Sequence, residues 1–281
     1  MAKKLIPIAI AYDFDGTLAP GNMQEHQFLP DIGITKNNFW REVGLLSRLN
    51  QADEVLVYMN LMLKKASANG VSVGRDDFKN SGKSISLFEG VDSWFDRINK
   101  YAKTIGVRVD HYLISSGNEE IFAGTAIARK FKKVYASKFI FNENGVADWP
   151  ALAINYTTKT QYLFRINKGI HDLSDHASVN KFVKKEDRQV PFENMVFIGD
   201  GATDIPCFRL IKDQGGLSIA VYKEKTRNAK SKADNYLKDG RVHVAVPANY
   251  KEDSELENII KKHIDNVASR YALNDLLESK I

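Results

Sequence analysis

The amino-acid sequence predicts an α/β fold, a doubly wound parallel sheet with an inserted, mainly helical second domain. Short apolar segments typical of buried strands alternate with helical segments along most of the 281 residues. Two of these strand segments run directly into acidic residues. A helical block near the beginning of the chain interrupts the alternation. A chain of this length can hold one large domain or two smaller ones.

The first predicted strand lies within the opening stretch AIAYDFDGTLAP, residues 9–20. It is apolar on both faces, as expected for a strand of a parallel sheet that helices cover on both sides. It ends at Asp13 and Asp15, which are followed by Gly16 and Thr17. Carboxylates are costly inside such a sheet but tolerated beyond its carboxyl edge, where ligands bind. An ordinary Asp-Gly turn explains the pattern equally well, so the rest of the chain has to decide.

The helical block follows this strand at 21–83. Apolar residues at 40, 43, 46 and 49 form one helical stripe, and those at 55, 59, 62 and 66 form another. Glycine and serine then break the pattern before residue 84. We therefore predict a helical domain at 21–83 and a core domain built from 1–20 and 84–281.

The core segments alternate between the two periodicities, which indicates a three-layer, Rossmann-like arrangement. Strands are predicted at 107–117, 134–141, 195–198, 217–222 and 242–246. Helices are predicted to end at 106 and to cover 118–130, 169–183 and 254–277. The apolar stripe of the last helix predicts docking on the core, with a dimer contact as the alternative, so a monomer or a homodimer is expected.

Charge and composition restrict the partners. The net charge of +5 comes from 40 basic and 35 acidic residues, mostly interspersed. The basic stretch YKEKTRNAKSK is interpreted as a solvated surface, and no nucleic-acid partner is expected. Modest positive charge suits small anionic substrates.

Cysteine usage and hydropathy predict the compartment. Cys207 is the single cysteine, so no disulfide can form within the chain and a reducing compartment is expected. The beginning of the chain does not resemble a signal peptide, and no apolar window approaches the length of a membrane span. We expect a cytoplasmic protein with no membrane partner.

A second strand ends in acids at NMVFIGDGATDIPCF, residues 194–208. Asp200 and Asp204 follow its apolar part. If this strand neighbours the first one, three or four carboxylates meet at one sheet edge and repel one another. A hard cation such as Mg²⁺ offsets that repulsion.

Two further segments suit the binding of a phosphate. YLISSG places Ser115 and Ser116 where a strand becomes a helix, so hydroxyl and N–H groups can face an anion. RINKG places Lys168 at the predicted start of another helix, where an ammonium can neutralise a phosphoryl oxygen.

In this order, the four segments resemble the four motifs of the haloacid dehalogenase-like (HAD) superfamily. The resemblance covers residues 8–208, and the segments around Asp13 and Asp200 are the most specific. The helical block between the first and second motifs is similar to the cap domain of the phosphoserine-phosphatase-like branch. The region 134–165 is longer than a minimal core of this kind requires.

The resemblance implies a Mg²⁺-dependent phosphatase that forms an aspartyl phosphate. Asp13 would be the nucleophile, and Asp15 the general acid and base. The dehalogenase branch lacks the second acid, so phosphatase is the expected activity. The implied metal ligands are Asp13, the Asp15 carbonyl oxygen and Asp200, with Asp204 supporting the ion directly or through water. The implied phosphoryl-binding residues are Thr17, Ser115 or Ser116, and Lys168.

The expected substrate is a small phosphorylated metabolite. The helical block is expected to read its leaving group, with His26, Arg41 and Arg75 as candidates. Two alternatives stay open: a phosphotransferase with the same intermediate, and a phospho-ligand binding or regulatory module with vestigial activity.

Overall fold

A computed structural model of the chain describes residues 5–278, and its centre is a sheet of seven strands. The strands are β1 (Ile6–Tyr12), β2 (Val107–Asn118), β3 (Lys133–Phe141), β4 (Ala147–Leu152), β5 (Met195–Gly199), β6 (Leu217–Tyr222) and β7 (Val244–Pro247). Their order across the sheet is β4-β3-β2-β1-β5-β6-β7. All neighbours are parallel except β3 and β4, which form an antiparallel pair. The predicted fold class is confirmed.

Eleven α-helices of the described residues accompany the sheet. They are α1 (Phe28–Asp31), α2 (Lys36–Asn50), α3 (Glu54–Ala68), α4 (Arg75–Gly82), α5 (Val91–Thr104), α6 (Glu119–Phe122), α7 (Thr157–Lys168), α8 (His176–Asn180), α9 (Ile205–Asp213), α10 (Ala229–Lys238) and α11 (Glu255–Glu278). No helix among residues 5–278 combines the length and the apolar character needed to cross a membrane.

Strand β1 lies in the middle of the sheet and is buried on both faces. Ile8 and Ile10 pack into one core together with side chains of α5 and α11. Ala9 and Ala11 pack into a second core with side chains of α7 and α9. Successive residues of a strand point to opposite faces, so an apolar segment without alternation fits a strand covered on both sides.

Helices α1 to α4 form the inserted helical block between β1 and α5. Side-chain caps begin two of them: Thr35 Oγ1 accepts from Asn38 N at 3.4 Å, and Asp53 Oδ1 accepts from Leu56 N at 2.9 Å. The block shares a continuous apolar core with one face of the sheet. The division into a cap at 21–83 and a core of the remaining residues stays a prediction.

Two predicted helices are wrong in extent. Within 118–130 the α-helix α6 is a single turn, and within 169–183 only the short helix α8 is found. The long helix of this region is α7, which precedes residue 169. Two of the buried positions of this helix, TTKTQYLFRINK, are occupied by Lys159 and Arg165 and not by apolar residues. The apolar periodicity that would predict a helix is therefore weak. The long region 134–165 also forms β4, which was not predicted.

The closing helix α11 follows its prediction closely. Leu256, Ile260, Ile264 and Val267 are buried against the sheet, so this stripe docks on the core. Glu257 adds a polar contact, accepting from Arg97 Nε of α5 at 2.9 Å.

Candidate active site

The acidic residues meet at the carboxyl edge of the two central strands. The Asp13 N–H donates to Ile198 O of β5 at 3.0 Å, which holds the end of β1 against β5. Asp200 follows β5 directly, because β5 ends at Gly199. Carboxylate oxygens of Asp13, Asp200 and Asp204 all lie within 4.8 Å of one another. The sheet topology therefore assembles the acidic group that the sequence predicts.

A buried lysine from α7 lies between two of these acids. Lys159 Nζ donates to Asp204 Oδ1 at 2.7 Å and forms an ion pair with Asp13 Oδ1 at 3.1 Å. Burial is the largest single influence on the pKa of Lys159 and lowers it. The negative charges of Asp13 and Asp204 together outweigh burial, so the pKa lies above its usual range. Lys159 is therefore a permanent cation beside the acids.

Asp204 has both of its carboxylate oxygens occupied. Oδ1 accepts from Lys159, and Oδ2 accepts from the N–H groups of Asp200 and Gly201, each at 3.1 Å. Gly199 makes this approach possible, since a Cβ there would lie 2.5 Å from Asp204 Oδ2. Asp204 thus positions Lys159 and the turn that carries Asp200.

The acids carry more negative charge than Lys159 neutralises. Burial raises the pKa of Asp13 to about 6, with Asp204 raising it further and Lys159 lowering it. Burial, and then repulsion from Asp204 and Asp13, holds the pKa of Asp200 well above its usual range. A hard divalent cation would relieve this repulsion, and an all-oxygen donor set is the one that Mg²⁺ prefers.

Asp15 lies on the turn after β1, facing the helical block. Its Oδ1 accepts from Met23 N at 2.8 Å. Burial, followed by repulsion from Asp13, raises the pKa of Asp15 well above its usual range. Gly16 is required next to it because φ is +77° there and a Cβ would lie 2.1 Å from Asp200 Oδ2. This turn presents a carboxyl group that holds its proton more tightly than an exposed aspartic acid does.

The predicted hydroxyl residues lie near the carboxyl ends of two neighbouring strands, Thr17 after β1 and the two serines in the last part of β2. Thr17 is buried, and its Oγ1 lies 3.4 Å from Asp200 Oδ1. Tyr12 pairs with Leu113, so Ser115 and Ser116 extend β2 beside the Asp13 turn. Ser115 Oγ accepts from Gly117 N at 3.0 Å, whereas the shielded Ser116 Oγ has no hydrogen-bond partner among the described residues.

Lys168 is not part of this group, and the predicted start of a helix at this position is wrong. It is the last residue of α7, where its Nζ donates to the carbonyls of Val179 and Lys181 at 2.7 and 2.8 Å. Lys168 lies nine positions after Lys159, which places it about 13 Å further along the helix and on the opposite face. A signal for Lys159 is present in the sequence: it falls on the apolar stripe that continues at 162, 163 and 166.

A cleft of about 300 Å³ reaches the site from solvent. Asp15 and Asp200 lie on its wall, together with residues 20–22 and the segment after β6. The candidates proposed for leaving-group contact do not line it. His26 lies 3.1 Å from Pro20 O, Arg41 donates to Asn38, and Arg75 lies over the ring of Phe141.

No protein-family model matches the chain. An uncharacterized protein of Borreliella burgdorferi is 29% identical over 284 residues, covering 92% of this chain and 96% of that protein.

Solved structures with a similar fold include a HAD family hydrolase and several phosphoserine phosphatases. An apo phosphoserine phosphatase has a TM-score of 0.56 at 18% identity, covering 91% of this chain and 98% of that one. A phospho-aspartyl intermediate analogue of phosphoserine phosphatase has a TM-score of 0.53 at 16% identity, covering 92% and 99%. A HAD family hydrolase of Salmonella enterica serovar Typhi has a TM-score of 0.55 at 16% identity, covering 86% and 67%. The chain therefore has the fold of this superfamily.

Proposed function

We propose that the protein is a Mg²⁺-dependent phosphomonoester hydrolase that acts on a small phosphorylated metabolite through an aspartyl phosphate. The observation that carries this proposal is the placement of Lys159 between Asp13 and Asp204, with Asp200 alongside, at the carboxyl edge of the sheet. The likeness of the fold to phosphoserine phosphatases supports the same chemistry.

The metal would be held by the carboxylates of Asp13 and Asp200 and by the carbonyl oxygen of Asp15. The excess of buried negative charge and the oxygen donor set both fit Mg²⁺. Asp204 is proposed to support the ion from behind, directly or through water, because its oxygens already bind Lys159 and two N–H groups. When bound, Mg²⁺ would lower the repulsion between an anionic nucleophile and an anionic phosphate.

Asp13 and Asp15 would divide the chemistry between them. An Asp13 oxygen attacks phosphorus, and the bond between phosphorus and the leaving oxygen breaks. Asp15 gives its proton to that oxygen, which suits a carboxyl group with a raised pKa. Asp15 then takes a proton from water as the water oxygen attacks the aspartyl phosphate, which releases phosphate and restores Asp13.

The phosphoryl oxygens would be held by Lys159, Thr17 and a serine at the end of β2. We favour Ser116 over Ser115 because Ser116 Oγ has no partner among the described residues, while Ser115 Oγ already accepts from the Gly117 N–H.

The helical block is proposed to act as a cap over the site, with 19–22 and 83–88 as hinges. The contact from Met23 N to Asp15 Oδ1 links the beginning of the block to the proposed acid. Closure of such a block excludes bulk water and favours small substrates.

Phosphate release from a panel of small phosphomonoesters tests this function. We expect turnover with Mg²⁺, loss of turnover in EDTA, and binding of beryllofluoride as a mimic of the aspartyl phosphate. Asp13→Asn should reduce kcat by roughly 10³-fold or more, because an amide is a poor nucleophile. Asp148→Asn makes the same chemical change on the exposed strand β4 and serves as the control.

Two outcomes would contradict the proposal. One is full turnover by a verified metal-free preparation. The other is equal activity of Asp13→Asn and Asp148→Asn. Turnover that requires an added alcohol would instead identify a phosphotransferase.

A further inference from the structure

We propose that the segment after β6 forms a binding site for a second anionic group on the substrate, a carboxylate or a phosphate. The site consists of Lys223, Arg227 and Lys232, which line the same cleft as Asp15 and Asp200. This inference rests on the proposed function and specifies its substrate class: small phosphomonoesters whose leaving group carries another negative charge.

The sheet topology brings these cations to the site. Strand β6 is the parallel neighbour of β5, so the residues after β6 emerge at the sheet edge that carries Asp200. Lys223 follows β6 directly, and Lys232 is in the first turn of α10, three residues after Ala229, which also lines the cleft. Positions three residues apart share one face of a helix.

The three cations of the cleft are exposed to solvent. None forms an ion pair or side-chain hydrogen bond within residues 5–278. Lys225 and Lys230 of the same segment also have no ion pair within residues 5–278, but they do not line the cleft. The cleft cations are therefore available to an anion from solvent.

The size and geometry of the cleft identify the ligand. Asp13 and Lys159 are buried and do not line the cleft, whereas Asp15 and Asp200 do. In the proposed complex the reacting phosphoryl group occupies the end of the cleft at these acids, and the leaving group extends along the cleft. A cleft of about 300 Å³ admits a small metabolite rather than a polymer. Guanidinium and ammonium groups bind carboxylate and phosphate by charge-assisted hydrogen bonds.

The test uses pairs of esters that differ by one anionic group. Phosphoserine and phosphoethanolamine differ by a carboxylate, and fructose 1,6-bisphosphate and fructose 6-phosphate differ by a phosphate. We expect the wild type to prefer the more anionic member of at least one pair, which identifies the group. The combined variant Lys223→Gln, Arg227→Gln, Lys232→Gln should lower kcat/KM for that member by about tenfold or more. For the less anionic ester of the pair and for p-nitrophenyl phosphate, kcat/KM should change less than about threefold.

Lys230→Gln is the matched control, because Lys230 is an exposed residue of the same segment that does not line the cleft. It should leave the preference unchanged. All four positions are exposed, so the substitutions should not impair folding.

Calorimetric binding separates this inference from the proposed function. The four esters are titrated into Asp13→Asn, with and without the combined substitution. If the wild type hydrolyses no ester, the proposed function fails. The anion site is then tested only by whether Asp13→Asn binds the more anionic ester more tightly and loses that preference with the combined substitution. The inference is overturned if neither pair of esters shows a preference, or if the combined variant weakens the binding of all four esters equally. It is also overturned if Lys230→Gln lowers kcat/KM for the more anionic ester as much as the combined variant does. Tighter binding of a 5′-phosphorylated oligonucleotide than of either small anion would also overturn it.

Discussion

Replacement of Lys159 by methionine removes the only positive charge that contacts Asp13 and Asp204 among the described residues. The site is then left with two buried carboxylates that have lost their cation. Breaking a buried ion pair in this way costs about 3–5 kcal/mol. We expect the free energy of unfolding in Mg²⁺-free buffer to fall by about that amount. Removal of a cation that stabilises phosphoryl charge should also reduce kcat by roughly 10²-fold or more.

The stability loss should depend on pH. Without Lys159, the pKa of Asp13 in the folded state rises further above its ordinary value of 3.8. A carboxyl group with a raised pKa destabilises the fold most when it is ionised, so the penalty is largest above that folded pKa and shrinks as the pH falls towards 3.8. Urea unfolding at several pH values measures this dependence.

Lys168→Met is the matched control, because the Lys168 ammonium lies at the other end of α7 and, among the described residues, contacts two carbonyl oxygens and no carboxylate. It should lower stability by about 1 kcal/mol and leave turnover nearly unchanged. The double variant Lys159→Met, Asp204→Asn removes one stranded carboxylate and should recover part of the stability but not the activity. Equal activity of Lys159→Met and the wild type, or equal losses in Lys159→Met and Lys168→Met, would refute the reasoning.

Three further predictions concern the turn after β1 and the end of β2. Asp15→Asn should lose less activity on p-nitrophenyl phosphate than on alkyl phosphates while phosphoryl transfer limits the rate, because a good leaving group needs no acid; equal losses would argue against the acid role. Gly16→Ala should abolish turnover through its clash with Asp200, whereas Gly106→Ala, with similar φ but open space, should cost only about 1–2 kcal/mol of stability; comparable activities would contradict this. Ser116→Ala should raise KM for phosphomonoesters more than Ser115→Ala does, and the reverse order would assign the phosphoryl contact to Ser115.

The fold class and the two acidic strand ends follow from local patterns in the sequence. The uniformly apolar segment before Asp13 and the one before Asp200 each predict a strand covered on both faces. Parallel strands place their carboxyl ends at one edge, so the sequence predicts that the two acids meet if their strands are neighbours. The sheet order, in which β5 pairs with β1, supplies that adjacency.

The identity of the lysine in the site and the residues that line the cleft depend on the tertiary structure. Lys159 and Lys168 are two lysines of one helix, and only the packing of α7 on the sheet selects the one that is buried against Asp13. The basic segment after β6 has the composition of a solvated surface. Its position beside Asp200 follows from the order of strands β5 and β6. Contacts between residues so distant in the chain depend on how whole elements pack, and that information is absent from the local periodicity of the sequence.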